Sequence, residues 1–188
     1  MSKKKIILAS SSPRRRELLK YLTPDFDVVP SDIEETASGT PRQQAVKLAH
    51  DKALDVTRNH PDAVVIGADT LVVMGAKVLG KPKDKQDASC MLKTLSGRTH
   101  KVYTGVAVIC SSKMLTGCEV TSVTFDTLSD YEISEYIETG EPMDKAGAYG
   151  IQGYGGKFIK KIDGCYFNVM GLPLNLLYRM LKNLGISV

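Results

Sequence analysis

The carboxylate placed best for chemistry is Asp69, which interrupts the apolar stretch Ala63–Val73. Short runs rich in Val and Leu or Ile stand on both sides of it, Val64–Ile66 and Leu71–Val73, and such runs are typical of buried strands. We expect two strands with a break between them at Gly67–Thr70, so that Asp69 lies where a strand ends and opens into a cleft. A buried carboxylate must be paired, hydrogen-bonded or bound to a cation. The alternative is a turn aspartate that hydrogen-bonds its own backbone.

A basic, serine-rich segment follows the first predicted strand, Ile6–Ala9. Ser12 is a suitable N-cap for a helix expected over about Arg14–Tyr21. Three consecutive arginines occupy its first turn, the end of a helix where anions are favoured. A strand, a serine-rich turn and a basic helix start in this order predict an anion site, most simply for phosphate. A solvated basic helix start is the alternative.

Acidic residues follow the second predicted strand, Phe26–Val29, in a loop that also contains Ser, Thr and Gly. They are Asp32, Glu34 and Glu35. Hard cations prefer oxygen ligands, so beside a phosphate site this loop is a candidate cation site, and we single out Glu34. A solvated acidic loop is the alternative.

One cation lies among apolar residues of the strongest predicted helix, Pro41–Arg58, which Thr40 can cap. The apolar residues of this helix recur at helical spacing, and Lys52 falls among them. We therefore expect Lys52 either to extend along apolar surface towards water or to reach a ligand.

The segment Gly75–Pro82 matches the GxxxxGK pattern of a phosphate-binding P-loop but fails as one. Pro82 stands where Ser or Thr would supply a hydroxyl for magnesium, and proline has no N–H to offer a phosphate. The segment also follows a predicted hairpin, and no helix begins directly after it. We reject a P-loop and keep Lys81 as a phosphate contact held by a rigid Gly-Lys-Pro turn.

The rest of the chain alternates between predicted helices and strands. A glycine-rich segment, Thr139–Gly156, is long for a loop in a compact domain, and we expect it to bind a ligand, because such loops are usually functional or disordered. Ser129 and Glu132 form a capping box. The other expected elements are a helix over 84–95, strands over 101–110 and 115–125 that form a hairpin, a helix over 130–138, a strand over 158–162 and a helix over 174–184.

The composition favours one soluble domain and argues against several other classes of protein. With 188 residues, 43% of them hydrophobic, the chain can bury a sizeable core. The net charge of +4 is small and spread along the chain, which argues against a dedicated nucleic-acid-binding protein. No apolar run approaches a membrane span, and the run after the basic N-terminal segment Met1–Lys5 is too short for a signal peptide, so we expect a cytoplasmic location and no membrane partner.

The cysteines and histidines form no recognisable metal motif. The four cysteines contain no CxxC pair, and the three histidines form no zinc-type cluster. We expect the cysteines to behave as small core residues in a reducing cytosol.

Several short motifs occur in a fixed order along nearly the whole chain. The motifs are Ser10–Arg16 (SSSPRRR), Gly67–Thr70 (GADT), Gly80–Pro82 (GKP), Leu95–Gly97 (LSG), Glu141–Gly153 (EPMDKAGAYGIQG) and Gly171–Pro173 (GLP). Each is weak alone, but together they are highly specific, and through them the sequence resembles the Maf-like nucleotide pyrophosphatases.

The resemblance implies a single domain over residues 1–188 with an α/β fold like that of the inosine-triphosphate pyrophosphatases. In that fold a long mixed sheet carries two lobes around a deep cleft. The implied activity is metal-dependent hydrolysis of a nucleoside triphosphate to the monophosphate and pyrophosphate, with Asp69 as the proton acceptor. In the subfamily that acts on dTTP and UTP, three positions set the choice of base, and they correspond to Arg14, Thr70 and Gln152.

This chemistry requires a positioned water and neutralisation of the triphosphate charge. A divalent cation, Mg²⁺ or Mn²⁺, is expected to bridge phosphate oxygens and acidic groups, with Asp69 and Glu34 as its ligands. An ordinary aspartate is a weak base at neutral pH, so Asp69 is expected to act as base, as metal ligand or as both. The candidates for binding phosphate are Ser10, Arg15, Lys52 and Lys81.

Two other classes of function compete with the enzyme. One is a nucleotide-binding regulator, linked to arrest of cell division, that senses triphosphates without splitting them. The other is a phosphate-dependent nucleic-acid binder built on Ser12–Arg16, against which the few aromatic residues and the lack of a broad basic face argue. The expected partners are therefore dTTP and UTP and no nucleic acid, with the oligomeric state open and a homodimer as one option.

Overall fold

The computed structural model describes residues 4–188, so the start of the basic N-terminal segment, residues 1–3, lies outside the described residues. In this part of the chain the strands are β1 (Ile6–Leu8), β2 (Asp27–Val28), β3 (Val64–Met74), β4 (Lys77–Leu79), β5 (Thr99–Cys110), β6 (Lys113–Phe125) and β7 (Ile159–Asp163). The helices are α1 (Pro13–Lys20), α2 (Pro41–Asn59), α3 (Lys85–Leu95), α4 (Asp130–Glu138), α5 (Tyr166–Met170) and α6 (Leu174–Asn183). None of the described helices is both long and apolar enough to cross a bilayer.

The described strands form one seven-stranded mixed sheet in the order β2-β1-β3-β5-β6-β7, with β4 paired to β3. Strand β1 is parallel to both β2 and β3, whereas β4 is antiparallel to β3 and β7 is antiparallel to β6. Strands β5 and β6 are neighbours joined by Ser111 and Ser112, which confirms the predicted hairpin. The expected α/β class and long mixed sheet are confirmed.

The chain divides into two compact units. The first comprises 1–69, 104–119 and 171–188, and the second comprises 70–103 and 120–170. Each has a hydrophobic core of its own. The core of the first includes Ile7, Ala49, Ala53, Val65 and Ala107, and the core of the second includes Leu92, Phe125, Tyr136, Tyr149 and Phe158. The single domain over residues 1–188 stays a prediction.

The helix starts follow from capping side chains, as the sequence predicts. The side chain of Ser12 accepts a hydrogen bond from the backbone N–H of Arg15 at the start of α1. At α2 and α4 complete capping boxes form, because each cap side chain and its N3 partner satisfy one another's backbone N–H groups. The caps of α2 and α4 are Thr40 and Ser129.

The predicted break at Gly67–Thr70 is wrong, because β3 runs without interruption from Val64 to Met74. The glycine in this segment serves close packing and not a turn. A Cβ atom built on Gly67 would lie 2.1 Å from the backbone oxygen of Ala49 on α2. Gly67 therefore allows the backbone of the helix to approach the strand, and Asp69 lies inside the strand and not in a turn.

Three further differences concern local structure. The glycine-rich segment is not a featureless loop, since it contains short 3-10 turns at Glu141–Asp144, Ala146–Ala148 and Tyr154–Phe158. The short helix α5 was not predicted. Cys90 is exposed, so the expectation that all cysteines are core residues is wrong for this one, although Cys110 is buried.

Adding a side chain at position 67 should destabilise the protein more than adding one at a glycine with open space around it. We expect Gly67→Ala to lower the free energy of unfolding by about 3 kcal/mol, because the added methyl group overlaps helix backbone that cannot rotate away. Gly80→Ala is the control, since a Cβ there meets nothing within 4 Å. It should change stability by less than about 0.5 kcal/mol. Urea unfolding of both variants makes the comparison, and equal effects would contradict the close-packing role.

Candidate functional site

Asp69 is a buried carboxylate in the interior of β3, with 6% of its surface exposed. Its Oδ1 accepts a hydrogen bond of 2.7 Å from the ammonium group of Lys52, which is itself 7% exposed. Two opposite charges in contact offset much of the cost of removing each from water. The sequence-based requirement that Asp69 be paired is thus met by a lysine.

Helix α2 brings Lys52 to this position. Lys52 lies on the buried face of the helix, together with Ala45, Leu48, Ala49, Ala53 and Val56. The small alanines and Gly67 allow α2 to lie close to β3, so the lysine side chain reaches Asp69 without passing through solvent. Of the two expectations for Lys52, the structure therefore excludes extension towards water.

A second carboxylate contacts the same ammonium group. Glu35 Oε1 lies 2.7 Å from Lys52 Nζ, and its side chain is 59% exposed. Glu34, the residue that we singled out in this loop, is exposed as well, but among the described residues its side chain forms no ion pair. The contact with Lys52 therefore favours Glu35 over Glu34 as the acidic partner of Asp69. No sequence signal distinguishes them, because the loop has no periodicity to indicate which side chain reaches the lysine.

The predicted phosphate-binding segment is also ordered around one side chain. The Nε of Arg15 donates to the backbone oxygen of Gly171 at 2.8 Å, and its Nη1 donates to Ser10 Oγ at 3.1 Å. Ser10 Oγ also accepts from the backbone N–H of Ser12 at 3.3 Å. With both contacts accepted by the oxygen, the hydroxyl hydrogen of Ser10 remains available as a donor.

The electrostatic surroundings connect Arg15 with the acidic pair. Burial lowers the pKa of Arg15 below its ordinary value, while the negative charges of Asp69 and Glu35 act in the opposite direction. The arginine stays protonated at any physiological pH, because its ordinary pKa is so high. Lys52 and Arg15 thus give this part of the first unit two cations facing two carboxylates.

The donor chemistry fits a hard divalent cation. Among the described residues no group of three or more His, Cys, Asp or Glu side chains could hold a metal. Asp69 and Glu35 nevertheless converge on one cationic nitrogen, and each carboxylate has a second oxygen. Magnesium is commonly held by one or two carboxylates while substrate phosphates and water complete its coordination. Two carboxylates are therefore a sufficient protein contribution.

The structure places the other predicted site residues as follows. Arg14 is half-buried in the first turn of α1, and Thr70 is half-buried and follows Asp69 in β3. Lys81 and Gln152 are exposed and belong to the second compact unit. Direct contacts and the electrostatic surroundings of Arg15 bring together Ser10, Arg15, Lys52 and Asp69. They also include Glu35, which the sequence places in the candidate cation loop without singling it out.

Comparison with known proteins identifies the family of the chain. The model of the family described as Maf-like protein matches residues 5–184. The chain belongs to the Maf-like proteins. Membership covers both compact units and includes every residue of the Lys52 cluster, which we define as Ser10, Arg15, Glu35, Lys52 and Asp69.

Several curated proteins are similar to the chain over almost their full length. A dTTP/UTP pyrophosphatase of Bacillus pumilus is 51% identical, with 97% of each chain covered. One of Carboxydothermus hydrogenoformans is 50% identical, covering 96% of this chain and 99% of that protein. One of Clostridium perfringens is 48% identical, covering 98% and 99%. The similarity to these relatives therefore extends over nearly the whole chain and is not confined to one of its two units.

Removing the lysine should leave a buried charge without its partner. We expect Lys52→Met to lower the free energy of unfolding by about 3 kcal/mol or more. Lys47→Met is the matched control on the same helix, because Lys47 forms an exposed pair with Asp51, and it should cost less than about 1 kcal/mol. The double variant Lys52→Met/Asp69→Asn should recover part of the loss, since the amide carries no charge. Denaturant unfolding measures all three, and no recovery in the double variant would contradict the pairing.

Proposed function

We propose that this protein is a nucleoside triphosphate pyrophosphatase that hydrolyses dTTP and UTP to the monophosphate and pyrophosphate. The observation that carries the proposal is the buried Asp69, held by Lys52 beside Glu35 and Arg15. The relatives named dTTP/UTP pyrophosphatase supply the substrate class. Because dTTP and UTP belong to the nucleotide pool of the cytoplasm, we infer a cytoplasmic location.

The reaction is attack of water on the α-phosphorus. The new P–O bond forms as the bond between the α-phosphorus and the bridging oxygen breaks, and pyrophosphate leaves. Asp69 orients the water and takes its proton, and the hydrogen bond from Lys52 holds the Asp69 carboxylate in position for this step. Arg15 and the Ser10 hydroxyl bind phosphate oxygens, where developing negative charge needs donors fixed in advance. Lys81 is a further phosphate contact.

Asp69 and Glu35 would hold the divalent cation, Mg²⁺ or Mn²⁺. When bound, such a cation neutralises charge on the triphosphate and polarises the oxygens that it contacts. Glu34 was the acidic ligand expected from the sequence, and Glu35 replaces it here because it shares Lys52 with Asp69. The role of Lys52 towards substrate is then limited, since two of its three N–H groups go to carboxylates.

Base choice is assigned to Arg14, Thr70 and Gln152. A glutamine amide donates from nitrogen and accepts at oxygen. Uracil and thymine present a ring N–H beside carbonyl oxygens, whereas cytosine presents an acceptor nitrogen and an amino group. One amide orientation of Gln152 therefore matches UTP and dTTP and mismatches CTP.

Removal of the catalytic carboxylate separates an enzyme from a regulator. We expect Asp69→Asn to reduce UTP and dTTP hydrolysis by at least about 100-fold while UTP still binds, because binding uses other groups. The variant should fold, since Lys52 keeps Glu35 as a partner. Product analysis over a panel of nucleoside triphosphates, with calorimetry for binding, tests this. Asp51→Asn on α2 is the control and should retain activity.

A protein that bound UTP but split no triphosphate with either metal would instead be a regulator. A protein that neither bound nor split any triphosphate would contradict both functions.

The two neighbouring glutamates test the metal assignment. With Mg²⁺ or Mn²⁺ removed by EDTA, hydrolysis should stop and return when the metal is restored. Glu35→Gln should raise the metal concentration required for half-maximal rate by about tenfold, because one oxygen ligand loses its charge. Glu34→Gln should leave it within about twofold. Metal titrations of the UTP rate measure both, and the reverse order of effects would return the role to Glu34.

A further inference from the structure

The carboxylate of Glu141, in the glycine-rich segment of the second unit, accepts three hydrogen bonds. Its Oε2 accepts from the backbone N–H of Tyr154 at 2.8 Å, and its Oε1 accepts from that of Gly155 at 3.0 Å. Oε1 also accepts from the hydroxyl of Tyr136 at 2.8 Å. Glu141 thus fixes the backbone that follows Gln152, the exposed residue to which base choice is assigned.

The same network holds the backbone that precedes Gln152. The hydroxyl of Tyr136, which donates to Glu141, accepts from the backbone N–H of Gly150 at 3.1 Å. Tyr136 is 1% exposed, and its ring packs edge-on against Phe158 with centroids 5.1 Å apart. A buried, packed tyrosine is therefore the fixed point from which both flanks of Gln152 are held.

The backbone after Gln152 passes close to the side chains of Glu141 and Tyr136. Gly153, next to Gln152, has φ +91°, and a Cβ built there would lie 2.4 Å from Glu141 Oε2. A Cβ on Gly155 would lie 2.6 Å from the Tyr136 hydroxyl. Glycine at these two positions lets the chain close around the two oxygen-bearing side chains.

The charge state of Glu141 suits this role. Burial acts to raise the pKa of Glu141, but hydrogen bonds from Tyr154, Gly155 and Tyr136 outweigh it, so the net shift is downward. Glu141 is therefore ionised at neutral pH, and a carboxylate accepts hydrogen bonds more strongly than a neutral amide does.

We propose that Glu141 is a positioning residue for Gln152. It fixes the backbone after Gln152 directly and the backbone before it through Tyr136, so that the Gln152 amide prefers uracil and thymine over cytosine. The inference rests on the proposed function for the role of Gln152. The part played by Glu141 rests on contacts of the described residues alone. In this role Glu141 does not touch the substrate, and it acts only by restricting the conformations of the 150–155 segment.

Glu141→Gln is the informative variant, because it keeps the size of the side chain but replaces one acceptor oxygen with a donor nitrogen. We expect it to lower the ratio of kcat/KM for UTP over CTP by about tenfold, mainly through a higher KM for UTP, with kcat within about twofold. Glu138→Gln is the control, since Glu138 forms only an exposed pair with Lys85 and should leave the ratio unchanged.

A double-mutant cycle separates positioning from general destabilisation. Gln152→Ala should itself lower the UTP preference, and Glu141→Gln added to it should change the ratio by less than about twofold, because the residue that it positions is gone. Equal effects of Glu141→Gln in both backgrounds, or none in either, would overturn the inference. If Gln152→Ala alone left the ratio unchanged, the assignment of base choice to Gln152 would fail instead.

Hydrogen exchange tests the restraint without any turnover. The amides of Tyr154 and Gly155 should exchange faster in Glu141→Gln than in the wild type or Glu138→Gln, and unchanged exchange would overturn the inference. Tyr136→Phe offers a second route if Glu141→Gln does not fold, because it removes one hydroxyl from the same network and keeps the ring. Tyr136→Phe should raise the exchange rates and lower the UTP preference, as Glu141→Gln does. If it left both unchanged, the result would count against the network.

Discussion

The contact between Lys52 and Asp69 is the constraint on which the first compact unit depends. An ionised carboxylate inside a strand of a seven-stranded sheet costs several kcal/mol to desolvate unless an opposite charge meets it. Lys52 meets it at 2.7 Å, and Glu35 balances the lysine in turn. A pair of this kind contributes little net stability compared with apolar residues, so its presence is better explained by chemistry than by folding.

The close packing of α2 against the sheet places Lys52 within reach of Asp69. Gly67 in β3 would place a Cβ 2.1 Å from Ala49 O, and Gly105 in β5 would place one 2.1 Å from Ala45 O. Two glycines on neighbouring strands therefore allow the backbone of one helix to approach the sheet closely. The small residues are a packing requirement, and the same requirement fixes how far the Lys52 side chain must extend.

Sequence periodicity and capping chemistry predicted most elements, because these are local properties. The helix starts at Ser12, Thr40 and Ser129 needed only the residue types in order. The continuous β3 was missed because glycine and aspartate indicate a break when neighbours are unknown, and only the position of α2 shows why Gly67 is there. Glu35 was not singled out for a related reason, since which of two adjacent loop glutamates contacts the buried charge depends on a lysine that follows 17 residues later.

The surroundings of Asp69 and those of Gln152 differ in how well they tolerate substitutions. Asp69 is held by charge in a buried place, where a neutral or apolar replacement changes the electrostatics of Lys52, Glu35 and Arg15 together. Gln152 is exposed, and hydrogen bonds from backbone N–H groups hold the segment around it. Two of these N–H groups donate to the carboxylate of Glu141, and that of Gly150 donates to the hydroxyl of Tyr136. Backbone contacts do not depend on the side chain at position 152. Substitutions there are therefore expected to alter the choice of base with little cost to the fold, whereas a substitution of Lys52 or Asp69 also changes the electrostatic environment of Glu35 and Arg15.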